Sequence, residues 1–360
     1  MAAGATGIIN RDQAFCSKVL RYTANHGPDF WSEENIQNVV AQWQLSPEME
    51  QHLRDMQHRI ADIDHFKNDP QWLTRFMAAP WGYHQAETMF RKMIEWRKQN
   101  HVDTIFDDYV PPQLLLDCVP SAILKDYDRE GDPIYCERGG SVDAVGLMKV
   151  ISREEMIRYC IWTRERNSNG VWLNDYERRQ GRHVRGITIV YDLKGLNSRH
   201  LNPKGIEYFK EIMKITQENF PSPIKRMFII RAPRIFQVMW SIIKHFFPAT
   251  ARAKMTFLGS TGYLEVLDKY LDINVLPPSI YEKGSGDVAV GMMQSLDGVD
   301  SVQDYLDKAY GSKVSTAETD EESLSSDSFC GSGAAPVHGK LILRGRLRNS
   351  GTVEVARVMR

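Results

Sequence analysis

The chain has 360 residues, 42% of them hydrophobic, and a formal net charge of −1 at neutral pH. That length supports one large globular domain or two modest ones, and the balanced charge gives no field for nucleic acid, so no nucleic-acid partner is expected. The cysteines, Cys16, Cys118, Cys136, Cys160 and Cys330, are scattered, odd in number and without C-x-x-C spacing, which argues against a disulfide scaffold or a zinc site.

Residues 1–10 carry no charged-then-apolar leader, and Ala2 rather than glycine follows Met1, so neither a signal peptide nor myristoylation is expected. The longest apolar stretch, 235–247, is too short and interrupted to span a bilayer. A cytoplasmic protein follows as the expectation.

Residues 32–66 read as helix. Ser32, Glu33 and Glu34 suit a cap and first turn, and apolar side chains recur at helical spacing through Ile36, Val39, Val40, Leu45, Met49, Leu53, Met56 and Ile60. Pro47 predicts a split into two helices. Residues 72–105 continue in the same pattern, broken at Ala79, Pro80, Trp81 and Gly82. The texture then changes. Residues 126–133 have turn chemistry and 134–137 read as a short strand. Ser152 and Glu155 form the S-x-x-E of a capping box ahead of a helix through Trp162. Residues 186–192 read as an apolar strand, 203–219 as an amphipathic helix, 227–230 as a strand, 235–247 as a helix stopped by Pro248, 254–258 as a strand and 263–271 as a helix. Strands alternating with helices imply an α/β domain with a largely parallel sheet. Residues 312–335, rich in Ser, Thr, Glu, Asp and Gly, are expected to be disordered. For 339–360, with arginines among Leu, Ile and Val, an unstructured basic tail is favoured over an added strand.

Catalytic signatures are absent. No G-x-S-x-G elbow, P-loop or G-x-G-x-x-G after a strand occurs, and the histidines show no H-x-x-x-H spacing. Binding rather than catalysis is expected. Asp126, Asp128, Glu130, Gly131 and Glu137 match the spacing of a calcium loop, but Pro133 leads into a strand with no flanking helix pair, so a plain turn is the reading and no metal is expected.

The segment 235–247 is the most informative. On a helix, Gln237, Ser241, Lys244 and His245 make one narrow polar stripe, and apolar residues fill the rest, beyond the roughly 100° that a surface helix needs. Such a helix is either buried on nearly all sides or covers a cavity with one face and a membrane or partner with the other. Ile187, Ile189 and Tyr191 share one side of a strand, and Phe228 and Ile230 share a side of the next.

These pieces, in order, resemble the Sec14-like, CRAL-TRIO family over roughly residues 70–285. The resemblance rests on Leu73 to Phe76, Ala86 to Arg97, Asp128 to Tyr135, Tyr191 to Gly195, Gln217 to Pro221 with Phe228 to Pro233, Lys254 to Gly259, and Leu276-Pro277. It implies an α/β domain in which an N-terminal helical part (1–110, its family portion about 65–105) precedes the lipid-binding domain (111–285), with 286–360 a largely disordered extension. It also implies an apolar pocket holding one phospholipid or other hydrophobic molecule, with no other cofactor, that is transferred or presented between membranes. Tyr135, Ile187, Ile189, Tyr191, Phe228, Ile230, Arg252 and Lys254 would line the pocket. Ile235, Phe236, Met239, Trp240, Ile243, Phe246 and Phe247 would form a gate helix, and Phe236, Met239, Trp240, Ile243 and Phe247 would insert transiently into a membrane surface. Where phosphatidylinositol-binding members carry two basic residues, this chain has Ala78 and Pro80; Ser222 replaces a glutamate and Ala251 a threonine, with Thr250 beside it. Lys254 alone is kept, and with Arg252 it is expected to meet a phosphate by charge-assisted hydrogen bonds. An alternative is a lipid-dependent signalling module that recruits a protein partner through its C-terminal tail, where Thr319 precedes Asp320, Glu321 and Glu322.

Overall fold

The computed structural model describes residues 31–65, 67–166, 184, 186–221 and 224–284, and the backbone of 342–346 and 352–356. Its N-terminal part is built from capped helices. Helices α1 (Glu33–Trp43) and α2 (Pro47–Arg59) each begin at a serine, Ser32 and Ser46, whose side chain accepts from a backbone N–H one turn on. Pro47 sits at the first position of α2, where its missing N–H costs nothing, so it separates the two helices as expected. Helix α3 (Pro70–Met77) is capped by Asp69 and buried along its whole length, and α4 (Ala86–Gln99) packs on it. Their core holds Leu53, Met56, Leu73, Phe76, Phe90 and Met93.

Two short helices, α5 (Ile105–Asp108) and α6 (Gln113–Cys118), lead into the sheet. The strands are β1 (Ser121–Tyr127), β2 (Pro133–Glu137), β3 (Ile187–Asp192), β4 (Ile224–Ile230) and β5 (Met255–Phe257), lying side by side in chain order. The last four run parallel, and β1 pairs antiparallel with β2. Strand β1 is absent from the sequence expectation, because its Lys125, Asp126 and Tyr127 end is exposed and breaks the apolar run.

Helices α7 (Ala144–Val150) and α8 (Arg153–Arg164) follow β2, α9 (Pro203–Asn219) follows β3, and α10 (Phe236–Ile243) and α11 (Ala249–Arg252) lie between β4 and β5. Helix α12 (Tyr263–Leu267) packs on the far face of the sheet. At α8 only half of the predicted capping box forms. Ser152 accepts from the Glu155 backbone, but the Glu155 carboxylate accepts from the Tyr109 hydroxyl at 2.7 Å instead of reaching back. The predicted helix 235–247 is shorter than expected: α10 gives way to a tight turn at Lys244–Phe246.

The acidic turn between β1 and β2 is not a cation loop. Lys225 reaches into it, its ammonium 2.9 Å from Asp128, 2.9 Å from Glu130 and 2.6 Å from Asp132. Asp128 also accepts from the Thr188 hydroxyl and two backbone N–H groups. The carboxylates are thus consumed by an internal cation that fixes the hairpin to β3 and β4.

A buried ion network joins the helical part to the α/β part. Arg97 on α4 donates to both oxygens of Glu165, just past α8, at 2.9 and 3.1 Å, and also to Asp103. Lys67 lies 3.3 Å from Glu165 and stacks over the Trp72 ring. Burial pushes the Lys67 ammonium down to about 8.

Two antiparallel strands, β6 (Ile342–Arg346) and β7 (Thr352–Ala356), form a hairpin where an unstructured tail was favoured. Strand β6 carries Gly345 and two arginines, which mask its β-compatible residues, while β7 alternates Val353 and Val355 with polar or small residues. The predicted disorder at 312–335 lies outside the described residues. Among the described residues no helix is long and apolar enough to cross a membrane.

Candidate functional site

Parallel pairing decides which side chains share a face of the sheet. Tyr135 sits opposite Ile189, and Ile189 opposite Met227; one step of two residues along, Glu137 sits opposite Tyr191, and Tyr191 opposite Ile229. Directly paired residues in parallel strands point the same way, so these form two rows on one face. The rows, with Ile187, wall a cavity of about 510 Å³, within the range typical of small-molecule pockets.

Helices α8, α9 and α10 supply much of the remaining wall. Helix α8 contributes Met156, Tyr159, Cys160, Thr163 and Arg164; α9 contributes Ile206, Phe209, Ile212 and Met213; α10 contributes Phe236, Met239, Trp240 and Ile243, followed by Phe247. This explains an oddity of α9. Its apolar residues are only half-buried, and Asn219 alone is fully buried, because the helix faces a cavity rather than a packed core.

Five of the seven predicted gate residues line the cavity: Phe236, Met239, Trp240, Ile243 and Phe247. In this structure these side chains face the cavity rather than the surface. The face turned outward carries Val238, 53% exposed, and Ile242, 41% exposed. Phe257, 41% exposed, touches the Trp240 ring. Ile235 and Phe246 do not line the cavity. Ile235 packs with Leu193, Leu196 and Ile229 at the entry to the gate, and the Phe246 ring rests on Phe209 while its carbonyl accepts from Gln217 Nε2 at 2.5 Å. They lie at the two ends of the segment 235–247.

Before α10 stands Arg231, whose φ of 52° is left-handed, a conformation that costs a non-glycine residue. Its guanidinium grips both oxygens of Asp192 at 2.8 and 2.5 Å and donates to the Ser279 carbonyl, which holds the backbone in place.

Phe228 and Ile230 are corrected as pocket residues. They face the opposite side of the sheet, in a core with Leu267 and Leu271, and Met227 and Ile229 take the pocket positions. The one-residue offset between β3 and β4 is invisible in the sequence, and a shift of one reverses every side chain of a strand.

Near the end of the cavity where β4 begins stand Lys254, Thr250 and Ala251, with Pro221 and Ile224; Ala78 and Pro80 also line the wall. The positions the resemblance assigns to a headgroup therefore do line the cavity, without most of its basic side chains. Lys254 donates to the Ile224 carbonyl at 2.6 Å, and partial burial lowers its pKa. Arg252 is exposed and does not line the cavity, so it is corrected as a partner of Lys254 there. Ser222 lies outside the described residues.

One patch of the wall is polar. The Tyr135 hydroxyl donates to Glu137 Oε2 at 2.7 Å, and Tyr191 also bonds to Glu137. Burial, reinforced by the Glu137 charge, raises both tyrosine pKa values. The Tyr191 ring has a fixed place because Gly139 lies against it: a Cβ on Gly139 would fall 2.2 Å from the hydroxyl.

A largely parallel sheet with a core on one face and a largely apolar cavity under α10 on the other defines an α/β domain with a small-molecule pocket rather than a two-sided core. Residues 121–280 match the family model of the CRAL/TRIO domain, and the chain carries that domain, as its sequence resemblance implied. The chain is 29% identical over 239 residues to Protein real-time of Drosophila pseudoobscura pseudoobscura, covering 65% of this chain and 35% of that protein. It is 28% identical over 239 residues to Protein real-time of Drosophila melanogaster, covering 65% and 36%. It thus spans about a third of the length of these curated relatives. A solved structure titled "Crystal structure of Sfh5" superposes with a TM-score of 0.46 at 15% identity, covering 66% of this chain and 80% of that one. The CRAL/TRIO domain supports binding of a lipophilic ligand.

Proposed function

We propose that the chain binds a single phospholipid or other apolar molecule in this cavity and transfers or presents it between membranes. The observation that carries the proposal is the 510 Å³ cavity under the gate, lined by the inward side chains of α10. Acyl chains there are removed from water, each CH₂ contributing about 0.8 kcal/mol.

Release requires α10 to swing on Arg231 while the Gln217–Phe246 bond and the Phe209 ring contacts let go. Val238, Ile242 and Phe257 supply the outward apolar contacts for a bilayer surface, which makes the protein a peripheral visitor to membranes from the cytoplasm. No catalytic step is assigned. Lys254, the one retained basic residue of the family's headgroup set, is the place to look for phosphatidylinositol selectivity.

Transfer of a fluorescent phospholipid from donor to acceptor vesicles tests the proposal. Catalysed transfer supports it, and a rate no faster than spontaneous transfer rejects it. The alternative, an interaction module acting through its tails, rests on residues 286–360, whose side chains lie outside the described residues.

A further inference from the structure

The polar patch of the cavity wall has more hydrogen-bond donors than the protein uses. Arg164, the last residue of α8, is half-buried and lines the cavity together with Tyr135 and Tyr191. A guanidinium stays protonated and presents five N–H donors in a planar fork. Its neighbours in this patch are Tyr135, Cys160, Glu137 and Tyr191. Among the described residues no carboxylate lies within 4.0 Å of its nitrogens. Glu137 is an anion of the same patch, and its Oε2 is taken by the Tyr135 hydroxyl.

This arrangement differs from the Arg97–Glu165 pair a short distance along the chain. There both oxygens of the carboxylate are taken by the fork, and neither side chain is exposed. At Arg164 the fork instead meets the cavity. A cation in the wall of a largely apolar cavity is costly to leave without an anion, and a ligand oxygen is a group that can meet it there.

We propose that Arg164 is the seat of an acidic head group: the cavity takes an amphiphile whose buried end is a carboxylate, with the apolar chain lying along α9 and α10. This rests on the lipophilic-ligand reading above and names the ligand chemistry at one end of the same cavity. Two features favour a single negative charge. The planar fork matches the two oxygens of a carboxylate, and Glu137 close by repels a group with more charge. A quaternary ammonium head is turned away from this end by the same guanidinium. The seat is separate from Lys254, which lies near the start of β4 on another element.

The test compares cis-parinaric acid with its methyl ester by fluorescence titration of the full chain. Both probes share one polyene chain, and only the acid can pair with Arg164. The wild-type protein is expected to bind the acid about tenfold more tightly than the ester. Arg164→Met is expected to lose that preference, its affinity for the acid falling to that for the ester, and an unchanged melting temperature shows that the variant is folded. Arg164→Lys keeps part of the preference. Equal wild-type affinity for acid and ester overturns the inference whatever the variants do, as does a preference that survives in Arg164→Met. Failure of both probes to bind wild-type protein overturns the lipophilic-ligand reading itself.

Discussion

The gate helix makes an uneven pair of predictions from its two faces. Replacing Val238 and Ile242 together with serine removes apolar surface that the folded protein leaves in water, 53% and 41% of each residue. Transferring a whole Val or Ile side chain out of water is worth about 1.5–3 kcal/mol. With about half of each still exposed, membrane docking gains roughly 0.7–1.5 kcal/mol per residue, or about 1.5–3 kcal/mol for the pair. Vesicle affinity should therefore fall about ten- to a hundredfold, read by cosedimentation across a lipid titration. Thermal stability should fall only modestly, since about half of each residue is already exposed. Phe236→Ala and Trp240→Ala should behave differently. These rings line the cavity and contact Phe257, so they should reduce ligand retention while docking is largely kept. Wild-type vesicle affinity in the Val238/Ile242 double variant, with the loss appearing instead in the ring variants, would show that α10 meets membranes with the opposite face and refute the reasoning.

Further perturbations address the frame of the site. Glu165→Ala leaves Lys67 and Arg97 buried beside each other without their shared anion, and should cost about 3–5 kcal/mol in urea unfolding; a loss below 1 kcal/mol, of order a surface pair, would mean the network does not join the two parts. Gly139→Ala drives a methyl into the Tyr191 hydroxyl, should destabilise by about 1–3 kcal/mol and should displace the ring into the cavity, lowering ligand occupancy in lipid extracts. Acid should weaken the fold. Burial works against the charged forms of Asp128 and Glu165, but hydrogen bonds from Thr188 and Lys225 to the first, and the charges of Arg97 and Lys67 on the second, outweigh it and lower both pKa values. A carboxyl whose folded pKa is lowered stabilises the fold above its unfolded value, so this contribution should be intact at neutral pH and lost as pH falls below about 4. Urea midpoints at successive pH values check the direction; stability rising towards acid would contradict it.

What the sequence made legible follows from how local each signal is. Caps and breaks were readable because they lie within one turn of chain: Ser32, Pro47 and Ser152 sit where expected. The surplus apolar surface of 235–247 was equally visible, and it marks the cavity. Its orientation was not, because a helix that is apolar nearly all round does not say which aromatic residues face inward. Inter-strand register was hidden for a different reason. Whether Phe228 or Met227 faces the cavity depends on how β4 pairs with β3, a contact between distant parts of the chain. Arg164 was missed because a single arginine near a helix end reads as a favourable partner for the helix dipole. Ile206, Phe209, Ile212 and Met213 looked like an ordinary core stripe, and only their half-buried state separates a cavity wall from a packed interface.

Native mass spectrometry of the purified chain, followed by lipid extraction, bears most directly on the cavity as a ligand site. One lipid molecule per chain, retained in gentle conditions and released on unfolding, is the predicted result. Bare protein in every preparation, with no uptake after incubation with mixed vesicles, would contradict it.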